Sequence, residues 1–358
     1  MRAPHSQRSR GNALASPPPA GLVPSIPEKL LSIDQDEHVA EIHLSRHADV
    51  ESFALDDGLP PAFRREWSFA ARHVYRLRNV MVDIRTGACI SDESAYQESY
   101  GSLLRWLSAR PYPAMGSARG ESTDGVCTCV PAAGYYHFLL EELPRLIACL
   151  HVYPSATVLV SNQAPSFVFD VIDTLKQTGR LSGRIERLDD GLVQIPDYAF
   201  AAAEACSGCV HSHDIESLRQ SLLPPELGQS VEGPELLYVS RRAVGSRSPE
   251  NEHEVEIALA EKGFEVACLE RDDLRSQMER LAAARLIVAT HGAGLANLVW
   301  CRTGARLVEI FSPDFVNDCY ARLACQRGIA YQPMWAVPAG KWGRVDIEAL
   351  LRHLDLRE

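Results

Sequence analysis

This sequence predicts a mixed α/β fold, and three observations carry the prediction. Through the second half of the chain, short apolar runs alternate with amphipathic stretches of helical period. The links between them are short and rich in Gly, Pro or charge. In "ATHGAGLANLVW", Gly292 and Gly294 follow the apolar run 286–289, where a parallel strand would turn into a helix. Strand–helix alternation with short links implies a parallel sheet covered on both faces, with right-handed crossovers.

The bulk numbers set the frame. The chain has 358 residues, room for two domains of about 100–200 residues each. It is 46% hydrophobic and 23% charged, which is ordinary globular usage. A net charge of −11 argues against a nucleic-acid partner, since such domains are usually basic. A local basic pocket for an anion remains compatible with it. No run approaches the roughly 20 apolar residues of a membrane span. The Pro-, Ser- and Arg-rich start lacks the apolar segment of a secretory signal. The expectation is a disordered lead over 1–30 and a cytoplasmic protein, with peripheral association at a membrane left open.

The elements follow in order. In the first domain, 31–228, residues 72–90 alternate as strands do, and 100–110 read as a helix. Residues 135–154 carry apolar side chains at helical spacing, with Pro144 either kinking that helix or starting a new one. A strand at 156–161, a helix at 165–179 ending on Gly179, strands at 184–189 and 193–201 and a helix at 214–223 complete it. The Pro- and Gly-rich segment 224–235 reads as a linker. In the second domain, 229–340, strands are expected at 236–240, 264–269, 285–290 and 305–311. Helices are expected at 250–263, 272–284, 295–302 and 316–328. Residues 341–358 carry a terminal amphipathic helix.

The chain has ten cysteines. Without a secretory signal a disulfide framework is not expected. "CSGCVHSH", with Cys206 and Cys209, resembles half of a zinc site, but a second pair at firm spacing is missing. Free thiols, no bound metal and no cofactor are expected.

Several residues carry candidate chemistry. His291, Gly292, Ala293 and Gly294 stand at the carboxyl end of a strand, where open α/β sheets bind ligands. Bare amides at a helix start suit a phosphate. Asn297 occupies the third glycine position of the dinucleotide fingerprint, so this is a different turn. Ser240, Arg241, Arg242 and Arg247 lie in the loop after the first strand of the same domain, and arginine forks match diphosphate oxygens. Glu309 sits inside an apolar strand and needs a partner; ribose hydroxyls are one fit, and an edge position facing water is the other. His137 and Glu141 are four apart and share a helix face. They are either a general-base pair or a helix cap beside ordinary surface acids.

"GYYHFLLEELPRL", "LYVSRR", Asn251-Glu252, "THGAGLANLVW" and "LVEIF" stand in the order found in glycosyltransferase family 61, which the chain resembles from about residue 134 to 311. The resemblance implies a GT-B architecture, two Rossmann-like domains facing across a cleft. It implies an inverting glycosyl transfer without a metal. Glu141 would be the general base and His137 would position it or the acceptor. Arg241, with Arg242 and Arg247, would bind the diphosphate, and Ser240 lies beside them. His291, Gly292, Ala293 and Gly294 would line the donor pocket, supported by Asn297 and Glu309. Implied partners are a nucleotide-diphosphate sugar, a UDP-sugar first among them, and an oligosaccharide or lipid-linked glycan acceptor, as in bacterial capsule or lipopolysaccharide synthesis. Gly134 and Glu141 depart from the family, which often has a polar residue and Asp there. The alternative is a non-catalytic nucleotide-sugar-binding scaffold of a polysaccharide assembly complex.

Overall fold

The computed structural model describes residues 29–31, 39–56, 58–91, 94–96, 99, 125–131, 134–204, 207–224, 227, 232–313 and 315–354. The expected lead up to residue 28, the helix expected at 100–110, Cys206 and most of the segment 225–231 lie outside the described residues.

The first lobe is built on a nine-stranded sheet. Its strands are β1 (Lys29–Leu31), β2 (Val39–Arg46), β5 (Arg72–Asp83), β6 (Cys89–Ser91), β7 (Ser94–Tyr96), β8 (Cys127–Val130), β9 (Thr157–Ser161), β10 (Ile185–Leu188) and β11 (Leu192–Ala201). Strands β3 (Asp49–Ser52) and β4 (Glu66–Phe69) form a separate ribbon. The sheet order is β1-β7-β6-β5-β11-β8-β9-β10, with β2 also on β5. One side of this sheet has the run of parallel pairing of a Rossmann-like unit: β8 lies parallel to β9 and to β11, and β9 to β10, while at the far edge only β1 and β7 are parallel. The rest departs from that expectation, because β5 pairs antiparallel with β11, β2 and β6.

Among the described residues, three helices belong to this lobe. Helix α1 starts as Tyr135–His137, passes through a π turn at Phe138–Glu142 and continues as Leu143–Val152. Pro144 is the second residue of the α-helical segment Leu143–Val152, so an α-helical segment does start there, directly after the π turn. It has no N–H to donate, and the chain accommodates it by widening the preceding turn, where the Leu143 N–H reaches back to the Phe138 carbonyl. Such π turns occur frequently at functional sites. Helices α2 (Ser166–Gln177) and α3 (Ser212–Leu222) follow.

The second lobe is regular. Strands β12 (Leu236–Val239), β13 (Glu265–Ala267), β14 (Leu286–Thr290), β15 (Arg306–Phe311) and β16 (Ala330–Trp335) are all parallel, in the order β13-β12-β14-β15-β16. Helices α4 (Glu252–Ala260), α5 (Leu274–Ala283), α6 (Cys319–Gln326) and α7 (Ile347–Leu354) accompany them. The expected helix after the glycine turn is a 3-10 segment, Ala293–Trp300. Strand β16 was not expected from the sequence. This doubly wound order reverses direction between β12 and β14, and such switch points open a crevice at the strands' carboxyl ends.

Both faces of this sheet are covered, as a parallel sheet requires. Tyr238, Val288, Val308 and Ile310 pack with Val255, Leu259, Leu350 and Leu354. On the other face, Leu237, Val239, Ile287, Ala289 and Leu307 join a core that continues without a break into Val158, Val160, Leu139, Leu143 and Leu218 of the first lobe. Each Val, Leu or Ile among them contributes about 1.5–3 kcal/mol when fully buried. The lobes therefore share one core, which fixes helix α1 against the glycine turn.

Candidate active site

Arg241 follows β12 and His291 follows β14, on the two strands that flank the switch point. Arg241 is only 5% exposed. Its backbone N–H donates to Glu252 Oε1 at 2.8 Å, and its Nε and Nη2 donate to the Ser246 carbonyl at 3.2 and 3.0 Å. No carboxylate among the described residues pairs with its guanidinium. Burial, and then the neighbouring Arg247 cation, pull its pKa below that of an ordinary guanidinium.

Gly292 explains itself here. Its backbone is extended, with φ 173°, so conformational freedom is not the reason for glycine. A Cβ at this position would collide with the Arg241 guanidinium. Glycine lets the arginine lie across the turn. Arg247 takes a left-handed conformation, φ 57°, which costs a non-glycine residue about 1–3 kcal/mol. Its guanidinium stands 5.6 Å from the Phe315 ring centroid.

His291 is held by a second layer. Its Nδ1 lies 2.6 Å from Glu309 Oε1, and the Tyr331 hydroxyl donates to Glu309 Oε2 at 2.6 Å. A carboxylate acceptor places the imidazole proton on Nδ1, so Nε2 is left for a ligand. Glu309 is fully buried. With both oxygens occupied, it reaches a ligand only through His291; a direct ribose contact is not what this arrangement offers. The His291 ring packs among Phe311, Phe315 and Tyr320 at centroid distances of 5.4, 5.0 and 5.1 Å.

In the first lobe, the π turn carries Glu141. Its Oε2 lies 2.8 Å from His137 Nδ1. Its Oε1 accepts from the Ser207 hydroxyl at 2.5 Å and from the Gly208 N–H at 2.9 Å. Glu141 is thus committed on both oxygens, while His137, with its side chain 49% exposed, turns an edge to solvent. The hydrogen bond to Glu141 raises the His137 pKa, against the opposing effect of burial.

These groups meet across the lobes. Tyr136 packs edge-on to His137 at 5.4 Å and to Tyr320 at 5.7 Å, and Tyr320 touches His291. Arg322 of α6 donates to the Gly208 carbonyl at 2.5 Å, so Gly208 is gripped by Glu141 on one side and by the second lobe on the other. Tyr135 fixes the start of α1: its hydroxyl lies 2.8 Å from both Gln277 Oε1 and Asn297 Oδ1. Asn297, fully buried, also donates to Gln277 Oε1 at 2.9 Å and accepts from Trp300 Nε1 at 3.0 Å.

Arg241, Arg247, His291 and Gly292 come together, with half-buried Ala293 and Gly294 beside them. Two expected residues stand elsewhere. Arg242 is 56% exposed and pairs with Glu256 at 3.2 Å. Ser240 is buried and donates to Glu256 Oε1 at 2.6 Å. Asn297 accepts from Tyr135 and Trp300 and donates to the Gly294 carbonyl at 3.2 Å, bracing the glycine turn from within the core. Sequence reading missed Tyr135, Tyr136, Ser207, Gly208, Tyr320 and Arg322. The signal for Ser207 and Gly208 lay in "CSGC", whose glycine adopts φ 92°; weighing that stretch only for its cysteines passed over the two residues between them. Cys209 is a buried thiol pushed up to about 12 by burial.

Residues 135–308 match the family model described as Glycosyltransferase 61. No curated protein matches the chain. Among the described residues no helix is long and apolar enough to cross a membrane.

Proposed function

Over residues 135–308 the chain is a member of glycosyltransferase family 61, and from that premise we propose a GT-B-type inverting enzyme. It moves a sugar from a nucleotide-diphosphate sugar to a hydroxyl of a glycan acceptor, free or lipid-linked, of the kind used to build surface polysaccharide. The observation that carries this reading is Arg241, a buried cation laid over Gly292 with no carboxylate of its own. A buried charge is costly unless paired, and a diphosphate supplies the missing charge.

The proposed chemistry balances within this site. The acceptor oxygen attacks the anomeric carbon from the face opposite the diphosphate. The bond from that carbon to the phosphate oxygen breaks, and its electron pair leaves with the diphosphate. Arg241, Arg247 and the open edge of His291 offset the charge that develops there, work a divalent metal does in other enzymes. The acceptor proton passes to Nε2 of His137, and Glu141 holds Nδ1–H and stabilises the imidazolium. This reverses the division of labour expected from the resemblance. It is favoured because Glu141 has both oxygens engaged and His137 does not.

A pH profile of kcat/KM separates the two assignments, run with EDTA to test the metal-free step. With His137 as base, which must be neutral to work, the rate rises as pH climbs through a pKa above the ordinary imidazole value. Glu141→Gln then lowers the plateau about 100-fold and moves the limb to lower pH, because the anionic partner that favours the imidazolium is gone. His137→Gln abolishes the limb. A wild-type limb that survives in His137→Gln returns the role to Glu141.

A further inference from the structure

Parallel register sets one row of side chains along the carboxyl edge of the second sheet. Val239 pairs with Ala289, Ala289 with Glu309 and Phe311 with Trp335. Side chains alternate faces with period two, so Arg241, His291, Phe311 and Trp335 stand in succession on one face. It is the face that meets the first lobe, since Val239, Ala289 and Leu307 below them pack into the shared core. Arg241 and His291 open the row with charge; Phe311 and Trp335 continue it with rings.

The rings form a stack. His291 and Phe311 lie 5.4 Å apart at 25°, and Phe311 and Trp335 lie 5.9 Å apart at 25°. The last ring is open to solvent: Trp335 is 38% exposed, whereas Trp300 is 1% exposed. Phe315 walls the same row, touching His291 at 5.0 Å and standing beneath Arg247. From His291 to Trp335 is two strand spacings, about 10 Å, which a ribose and its base span. In the other direction, β13 is followed by Cys268, Leu269 and Glu270, which offer no aromatic ring to stack on.

We propose that Trp335 is the platform on which the nucleobase of the donor stacks, continuing the ladder His291–Phe311–Trp335. The inference rests on the diphosphate reading above and adds a second subsite to it, for a purine or pyrimidine ring. An aromatic platform holds any base by its face, so it supplies affinity with little selection among bases.

The test measures Kd of UDP, GDP and pyrophosphate for the full chain, with Trp335→Ala and Trp335→Phe beside the wild type. Trp335→Ala should weaken both nucleotides roughly tenfold and leave pyrophosphate unchanged, and Trp335→Phe should recover most of the loss. UDP and GDP should also quench the tryptophan emission of the wild type and not that of Trp335→Phe. Equal loss for pyrophosphate and nucleotides, or no loss for either, overturns the subsite. Failure of pyrophosphate to bind the wild type sinks the diphosphate reading and the subsite with it. Pyrophosphate binding with an unaltered nucleotide Kd in Trp335→Ala sinks the subsite alone.

Discussion

Arg72 in the first lobe and Arg241 in the second are buried alike, 4% and 5% exposed, but keep different company. Arg72 donates to Asp214 and Glu204 at 2.8 Å each, and Arg46 donates to the same two carboxylates at 3.3 and 2.6 Å. Two cations meet two anions, and the quartet is neutral. Arg241 has a backbone carbonyl and a second cation, Arg247, nearby. The contrast separates architecture from function. Charge that the chain balances itself fastens β2 and β5 to α3; charge left unbalanced at a strand end is what the proposed diphosphate would neutralise.

The largest effect is expected where the balance is complete. Arg72→Met leaves Asp214 and Glu204 sharing one guanidinium, and removing one partner of a buried pair costs about 3–5 kcal/mol. Urea unfolding measures it. A loss under about 1 kcal/mol would mean that the quartet is screened well enough to be dispensable, and the contrast would lose one of its sides.

Arg241→Met is the sharper half of the comparison. It strands no carboxylate, so stability should stay within about 1 kcal/mol of the wild type. Transfer should fall by about 100- to 1,000-fold, as for a lost oxyanion donor. Thermal stabilisation by pyrophosphate, about 2.7 kcal/mol at a hundredfold excess over Kd, should vanish. If Arg241→Met unfolds as readily as Arg72→Met, its guanidinium is structural and the diphosphate has lost its anchor.

The two sites also differ in how far the sequence revealed them. The second lobe was legible because buried parallel strands are short apolar runs, and an arginine or histidine directly after one stands out. Strand β16 escaped because Gln332 and Pro333 interrupt its apolar pattern. Missing it hid Tyr331, and Glu309 was then left without its real partners. In the first lobe the quartet joins residues 46, 72, 204 and 214, and no local pattern records contacts at such separations. His137 and Glu141 were legible as an i,i+4 pair, but the clamp on Glu141 comes from Ser207 and Gly208, far along the chain. The π turn is likewise a tertiary compromise around Pro144.

The smallest effect asks whether Asn297 serves the donor directly. The resemblance puts it in the donor pocket; the structure gives its carbonyl to Tyr135 and Trp300. Tyr135→Phe removes one hydroxyl at the joint between the lobes. Asn297 and Gln277 keep each other as partners, so the loss should lie within the 0.5–1.5 kcal/mol of a single hydrogen bond, at about 1 kcal/mol or less. With the start of α1 loosened, His137 and Glu141 drift relative to Arg241 and His291. Turnover should therefore drop several-fold at unchanged affinity for pyrophosphate. The opposite outcome, weakened pyrophosphate binding with kcat preserved, would move Asn297 back among the groups that hold the donor. The joint would then be part of the anion site whose unbalanced charge sets it apart from the quartet.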